Sequence, residues 1–310
     1  MQPSRSTNPI VFSIVAAVLT LGLKFTAYWL TGSVGLLSDA IESLANLFAA
    51  LMACLSLWYA AQPVDATHTY GHEKIEFFSS GVEGMLILVA ATSIGWYAVR
   101  KFITPEPLEA LGFGGALALA ASLINLAVAR LLLRVGRERG SIILEADGKH
   151  LMTDVWTSIG VLVGLGLVWL TGLQILDPII AILVALNIIW TGYDLVRRSF
   201  NGLMDHALPV EEQAAVRAAI ESQLNTQMHY HALRTRVAGT RRFVDFHLLV
   251  PGAMTVRSAH EIIEAIETAV KTALTGAEVT IHAEPIEERA AWEDSALLRI
   301  EETRRAVEMN

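Results

Sequence analysis

Residues Gly32–Asn46 read GSVGLLSDAIESLAN, and residues Gly140–Asp154 read GSIILEADGKHLMTD. Both begin Gly-Ser. Both then place an aspartate (Asp39, Asp147), a ligand-type residue three positions on (Glu42, His150), and another four beyond that (Asn46, Asp154). Steps of three and four are neighbours on one face of a helix. Each segment therefore carries a narrow polar stripe on an otherwise apolar surface, and lipid would not tolerate that stripe facing outward. Ionisable residues at bilayer depth cost about 2.5–3.5 kcal/mol each even on lenient scales, so they mark function.

The sequence around these two segments is that of a membrane protein. Of 310 residues, 53% are hydrophobic and only 17% charged, with mean hydropathy +0.47, where a soluble domain carries roughly a quarter charged. Six runs approach the roughly 20 apolar residues that a bilayer core needs: Ile10–Leu30, Leu36–Ala60, Ser79–Val99, Leu111–Leu133, Leu151–Leu170 and Pro178–Val196. Arg5, Lys74, Arg134, Arg137, Arg139, Lys149, Arg197 and Arg198 mark one side. The other has only Arg100 and Lys101, offset by Glu106 and Glu109. The basic side is cytoplasmic, so both termini are expected in the cytoplasm of a cell whose inner membrane the chain crosses. No cleavable signal peptide is evident, and the single cysteine, Cys54, allows no internal disulfide. A net charge of −8 speaks against nucleic acid as a partner.

After Arg197 the character changes. The remainder is expected to form a helix (Val210–Leu224), strands at Leu233–Val237 and Arg242–Val250, a second helix (Val256–Leu274) and a third strand at Glu278–Glu284. In the second strand Val244, Phe246, Leu248 and Val250 alternate with Asp245 and His247, the period of a half-buried strand. The expected architecture is a six-helix, all-α transmembrane domain (1–207), a cytoplasmic αββαβ domain (208–290) and a polar helical tail (291–310).

Three groups of residues could hold metal. Facing the second and fifth spans toward each other would gather Glu42, Asn46, His150 and Asp154: one imidazole nitrogen and three oxygen donors, two of them anionic. That set suits a borderline divalent cation such as Zn²⁺, with Fe²⁺, Co²⁺ or Mn²⁺ as competitors. The alternative is that these residues only hydrogen-bond helices together. The second group, Asp65, His68 and His72, lies in a loop at spacings that close on one ion if the segment turns. The third lies in the cytoplasmic domain: His247, His282 and Glu284 on polar strand faces, His231 ahead of the first strand, and His260 on the second helix. Lys24, Glu83, Asn125 and Asn187 lie within spans as well and read as helix-packing or interfacial residues, with Gly22, Gly35, Gly160 and Gly164 as close-packing positions. Lys149, beside His150, is expected to snorkel to the interface.

The motifs GSVGLLSDAIESLAN, QPVDATHTYGHEKIE, EADGKHLMTDVWTS, DPIIAI, LMDHALP, and LRTRVAGTRRFVDFHLLVPG with AEVTIHAEP resemble, in order and over nearly the whole chain, the cation diffusion facilitator family, closest to bacterial homodimeric ferrous-iron/zinc exporters. The resemblance implies export of a divalent metal from the cytoplasm in exchange for protons, six transmembrane helices, a metallochaperone-like cytoplasmic domain and a homodimer. It carries the transport site onto Glu42, Asn46, His150 and Asp154, the loop site onto Asp65, His68 and His72, and interface metal sites onto His231, His247, His260, His282 and Glu284. Lys74 and Asp205 match a pair that links loop and cytoplasmic domain across the dimer. One departure stands out: the family presents Asp or His and then Asp in the second span, where this chain has Glu42 and Asn46. Asp39 and Asp147 are assigned to positions behind the ligands.

Metal binding requires a neutral imidazole and ionised carboxylates, so it expels protons. A site open alternately to each side thus couples the two flows. His150 is the expected proton carrier, since the reference value of histidine lies nearest working pH. Two other readings compete. A membrane metallohydrolase would use the same cluster, but HExxH and nucleophile triads are absent from the sequence. A metal sensor or scaffold would result if Asn46 has spoiled transport.

Overall fold

The computed structural model describes residues 8–31, 34–103, 113–173 and 175–292. They form two compact units that divide after Leu203.

The first unit consists of α1 (Asn8–Thr31), α2 (Val34–Ala60), α3 (Ile75–Ile103), α4 (Phe113–Arg139), α5 (Ile142–Thr171) and α6 (Leu176–Leu203). Several helices outrun the apolar stretches that announce them. α5 begins at Ile142 rather than Leu151, and α4 and α6 continue through their arginines. The reason is that a helix keeps its hydrogen bonds after it leaves the hydrocarbon, so hydropathy marks the span and not the helix. Among the described residues, four segments are long and apolar enough to cross a bilayer: Pro9–Thr26, Ile75–Ile103, Leu119–Arg139 and Pro178–Leu203, with a shorter apolar piece at Leu47–Ala60.

Burial in this unit is inverted. Phe12, Val15 and Leu19 of α1, Leu51, Leu55 and Trp58 of α2, Trp96 of α3, and Leu183, Leu186 and Trp190 of α6 face outward, whereas Ser13, Lys24, Glu83, Asn125, Asp147, His150 and Asp154 are buried. Lipid is the solvent that makes this arrangement favourable. Close approach comes from small residues. A Cβ on Gly84 would lie 2.9 Å from Val196 Cγ2 and 3.3 Å from the Gly192 carbonyl oxygen, joining α3 to α6. One on Gly160 would lie 2.9 Å from Val184 Cγ2, joining α5 to α6. Gly22 differs: none of the described residues lies within 4 Å of its Cβ position, so it packs against no described helix of this chain. Gly35 and Gly164 fall outside the described side chains. A small apolar cluster, including Ile10, Ala53, Ala129, Leu132 and Leu151, ties α1, α2, α4 and α5 together.

The second unit has ordinary burial. α7 (Val210–Glu221), β1 (His229–Ala238), β2 (Arg241–Val250), α8 (Val256–Ala273) and β3 (Ala277–Pro285) are followed by a short 3₁₀ turn, Arg289–Trp292. The sheet order is β1-β2-β3; β1 and β2 are antiparallel, and β3 lies parallel to β2 after the α8 crossover. Val244, Phe246 and Leu248 pack against Val216 and Ile220 of α7 and Ile266 and Val270 of α8. α8 starts at an N-cap, Thr255, whose hydroxyl accepts from the Ser258 N–H at 3.2 Å. β1 begins at His229, four residues before the expected Leu233, so His231 lies within the strand and not ahead of it.

Candidate metal sites

In the membrane unit, α5 places His150 and Asp154 one turn apart, both buried. The Asn125 side-chain amide of α4 donates to Asp154 Oδ2 at 3.0 Å. Ser122 and Ser158 hydrogen-bond one turn further along the same seam, at 2.6 Å. α2 touches α5, as the pairing of stripes requires. The side chains of Asp39, Glu42 and Asn46 lie outside the described residues, so α2's share of the site stays with the sequence. Asp147 and Glu83 are buried on α5 and α3. The Lys149 ammonium is 2.9 Å from Asp194 Oδ2 on α6. A partner on a neighbouring helix satisfies the charge where it stands. Asp194 lacks any motif signal. Its only hint was a lone acid in an apolar span that also had to accommodate a lysine.

Between α2 and α3 the loop brings its expected ligands together. One ligand atom from each of Asp65, His68 and His72 lies within 4.8 Å of the others. Asp65 builds the turn itself. Its Oδ1 accepts from the Thr67 N–H at 2.8 Å, the Thr67 hydroxyl at 2.8 Å and the His68 N–H at 2.6 Å. The Thr67 hydroxyl first, and the His68 N–H after it, hold the Asp65 carboxyl well below the usual carboxylate range. Asp65 Oδ2 lies 3.1 Å from His72 Nε2. The imidazole rings of His68 and His72 are 4.6 Å apart, and Tyr59 packs edge-on to His72 at the same distance. His72 is buried while His68 and Asp65 are exposed, so the site opens to one side.

In the cytoplasmic unit the cluster is His231, His247 and Glu284. Glu284 Oε2 lies 3.4 Å from both His231 Nε2 and His247 Nδ1. Register explains the convergence: His231 pairs with His247 across the antiparallel ladder, and His247 with His282 across the parallel one. A bulge between His231 and Arg234, with Ala232 at φ 54°, inserts one extra residue. Without it, His231 would share the face of Leu233 and enter the core. His282 stands beside the cluster, its ring 5.1 Å from His247 and its Nε2 3.7 Å from Glu284 Oε1, but more exposed and outside the tight group. His260 is not part of this cluster within one chain. It sits exposed on α8, 3.9 Å from Glu264, and α8 covers the opposite face of the sheet. Sequence reasoning missed Trp292, which stacks on His231 with ring centroids 6.2 Å apart and donates to the Ile286 carbonyl at 2.9 Å. Of the expected inter-subunit pair, Lys74 donates to the Leu203 carbonyl at 3.4 Å, and Asp205 accepts from Arg236 at 3.3 Å, each within its own unit.

These three donor groups sit in a chain whose residues 10–204 match the cation efflux transmembrane domain and whose residues 208–286 match the cytoplasmic domain of cation efflux proteins. The chain is a cation diffusion facilitator. This facilitator is 48% identical to the uncharacterized transporter sll1263 of Synechocystis sp., over 91% of each chain. It is 31% identical to the cation-efflux pump FieF of Klebsiella pneumoniae, over 90% of this chain and 92% of the pump. A metal-bound C-terminal domain of the CzcD transporter from Thermotoga maritima is 29% identical over 26% of this chain and 93% of that domain, with a TM-score of 0.24. The facilitator is thus a membrane transporter that carries divalent cations outward, and not an enzyme.

Proposed function

We propose that the facilitator exports Zn²⁺ from the cytoplasm by exchange for protons, through a site made of Glu42, Asn46, His150 and Asp154. The observation that carries this reading is the pairing of a buried imidazole and a buried carboxylate one turn apart on α5. One nitrogen and up to three oxygen donors favour zinc, while the neutral Asn46 in place of a second aspartate leaves Fe²⁺, Mn²⁺, Co²⁺, Ni²⁺ and Cd²⁺ as competing cargoes. Each titratable donor, His150, Glu42 and Asp154, binds metal only in its deprotonated form, so alternate opening couples the flows. His150 is the main carrier, and Glu42 and Asp154 are its accessories.

Around this site we assign transport to residues 1–207, dimerisation and metal response to 208–290, and no derived role to 291–310. The loop ligands Asp65, His68 and His72 and the tail ligands His231, His247 and Glu284, with His282 at the edge, would bind cytoplasmic metal in a homodimer. Lys74 and Asp205 would pair across its two copies. Both termini are cytoplasmic and the membrane is the inner one. Uptake into proteoliposomes driven by a pH gradient, run with each of the six metals, tests the whole. His150→Ala is expected to abolish flux, and Asn46→Asp to keep flux while changing metal preference. Parental flux from His150→Ala would remove His150 from the site.

A further inference from the structure

Asn125 lies outside every motif that carries the family resemblance, and from sequence it reads as a helix-packing amide. The structure gives it a more specific place. The antiparallel seam between α4 and α5 runs through Leu133 opposite Gly148, Asn125 opposite Asp154, and Ser122 opposite Ser158. At Gly148 the backbones are too close for a side chain: a Cβ there would lie 2.9 Å from Leu133 Cγ and 3.2 Å from the Ala129 carbonyl oxygen. That contact fixes the spacing at which the buried Asn125 reaches across to Asp154 Oδ2. Only the amide nitrogen can face an ionised carboxylate, since the carbonyl oxygen would repel it. Asn125 Oδ1 is itself buried and has no hydrogen-bond partner among the described residues. An amide whose sole task is to join helices would satisfy both ends. This one is spent on a single carboxylate oxygen.

We propose that Asn125 is the positioning residue of the transport site, holding one oxygen of Asp154 so that the other is presented to the cation. The proposal rests on the reading of Asp154 as a cargo ligand. A ligating carboxylate has two oxygens and a free torsion, and an N–H that occupies one oxygen removes the wrong orientations before the metal arrives. Outer partners of this kind typically carry 10–100-fold in metal affinity.

The test uses full-length dimer in proteoliposomes, with Zn²⁺ concentration varied at a fixed pH gradient. Asn125→Leu keeps the side-chain volume and deletes the donor. The half-saturating Zn²⁺ concentration should rise by about 10-fold or more, with the maximal rate per folded dimer within about twofold of the parent. Ser122→Ala, which breaks the neighbouring seam contact and leaves the carboxylate alone, should change neither. A parental half-saturation in Asn125→Leu, or a loss confined to the maximal rate, overturns the proposal. If the leucine chain does not insert, Asn125→Ser, whose shorter side chain cannot span the gap, is held to the same two outcomes. Asp154→Asn separates this from the underlying reading: it should lose flux, and parental flux there would overturn the site assignment itself.

Discussion

The two units of this facilitator solve the same problem with opposite surfaces. In the membrane unit Phe12 and Trp96 face outward and Glu83, His150 and Asp154 face inward; in the cytoplasmic unit Val244, Phe246 and Leu248 face inward and His260 faces water. The difference decides what a buried polar residue means. In lipid such a residue is too costly to keep without a task, so a stripe of them locates the site. In the cytoplasmic unit histidines are cheap on the surface, and only register distinguishes ligands from bystanders.

The sharpest way to break the comparison is to truncate one aromatic in each unit. Phe246 is among the fully buried side chains of the cytoplasmic core. Phe246→Ala should cost about 3–5 kcal/mol, read as lost hydrogen-exchange protection of the β2 amides in the intact protein. Phe12→Ala removes a similar ring from an outward-facing position and should leave amide protection in α1 unchanged within about 0.5 kcal/mol. Equal losses would mean that Phe12 packs against protein and not lipid.

Much of this was readable without coordinates, and the failures share a cause. The polar stripes and the strands follow from periodicity and the six helices from the length of apolar runs, both of them local properties. The partners of the stripe residues are not local. Nothing around Asn125 or Asp194 says that one holds Asp154 and the other answers Lys149. Nor does any single residue reveal the β1 bulge that turns His231 out of the core, because the extra residue exists only relative to β2. The place of His260 is set in the same way: its chemistry suits a ligand, and α8 puts it across the sheet from His247 within one chain.

A second pair concerns packing within the membrane unit. Gly84→Val would drive Cγ atoms into Val196 and toward the Gly192 carbonyl, which as backbone cannot yield. A cost of about 1–3 kcal/mol follows, visible as a lower unfolding temperature in detergent. Gly22→Ala meets nothing within 4 Å and should instead be neutral or stabilising by about 0.5–1 kcal/mol, since alanine is the better helix former.

Smaller effects separate the loop site from the tail site by pH. A carboxyl whose folded value is depressed contributes above its unfolded value, and that contribution is lost only as pH falls through the folded one. Asp65 is held below the usual range, so it stays ionised wherever transport can be assayed. Asp65→Asn should therefore weaken loop metal binding by a factor that stays constant from about pH 5 to pH 8. A factor that shrinks as pH falls would show that Asp65 itself titrates there, and with it that the Thr67 turn does not form.

The smallest expected effect is none, and it tests the fold most narrowly. In one chain His260 has Glu264 for its neighbour and the whole sheet between it and Glu284, whereas His231 shares Glu284 with His247 across the bulge. His231→Ala should abolish Zn²⁺ binding at this cluster, read by titration of the full-length protein. His260→Ala, compared by titrating the same full-length protein with Zn²⁺, should leave both stoichiometry and affinity at this cluster unchanged. If His260→Ala costs a bound ion per chain, the remaining ligands must come from beyond the described residues of one chain, a second copy among the sources, because those residues present His260 with a single carboxylate at 3.9 Å, too few donors for a zinc site.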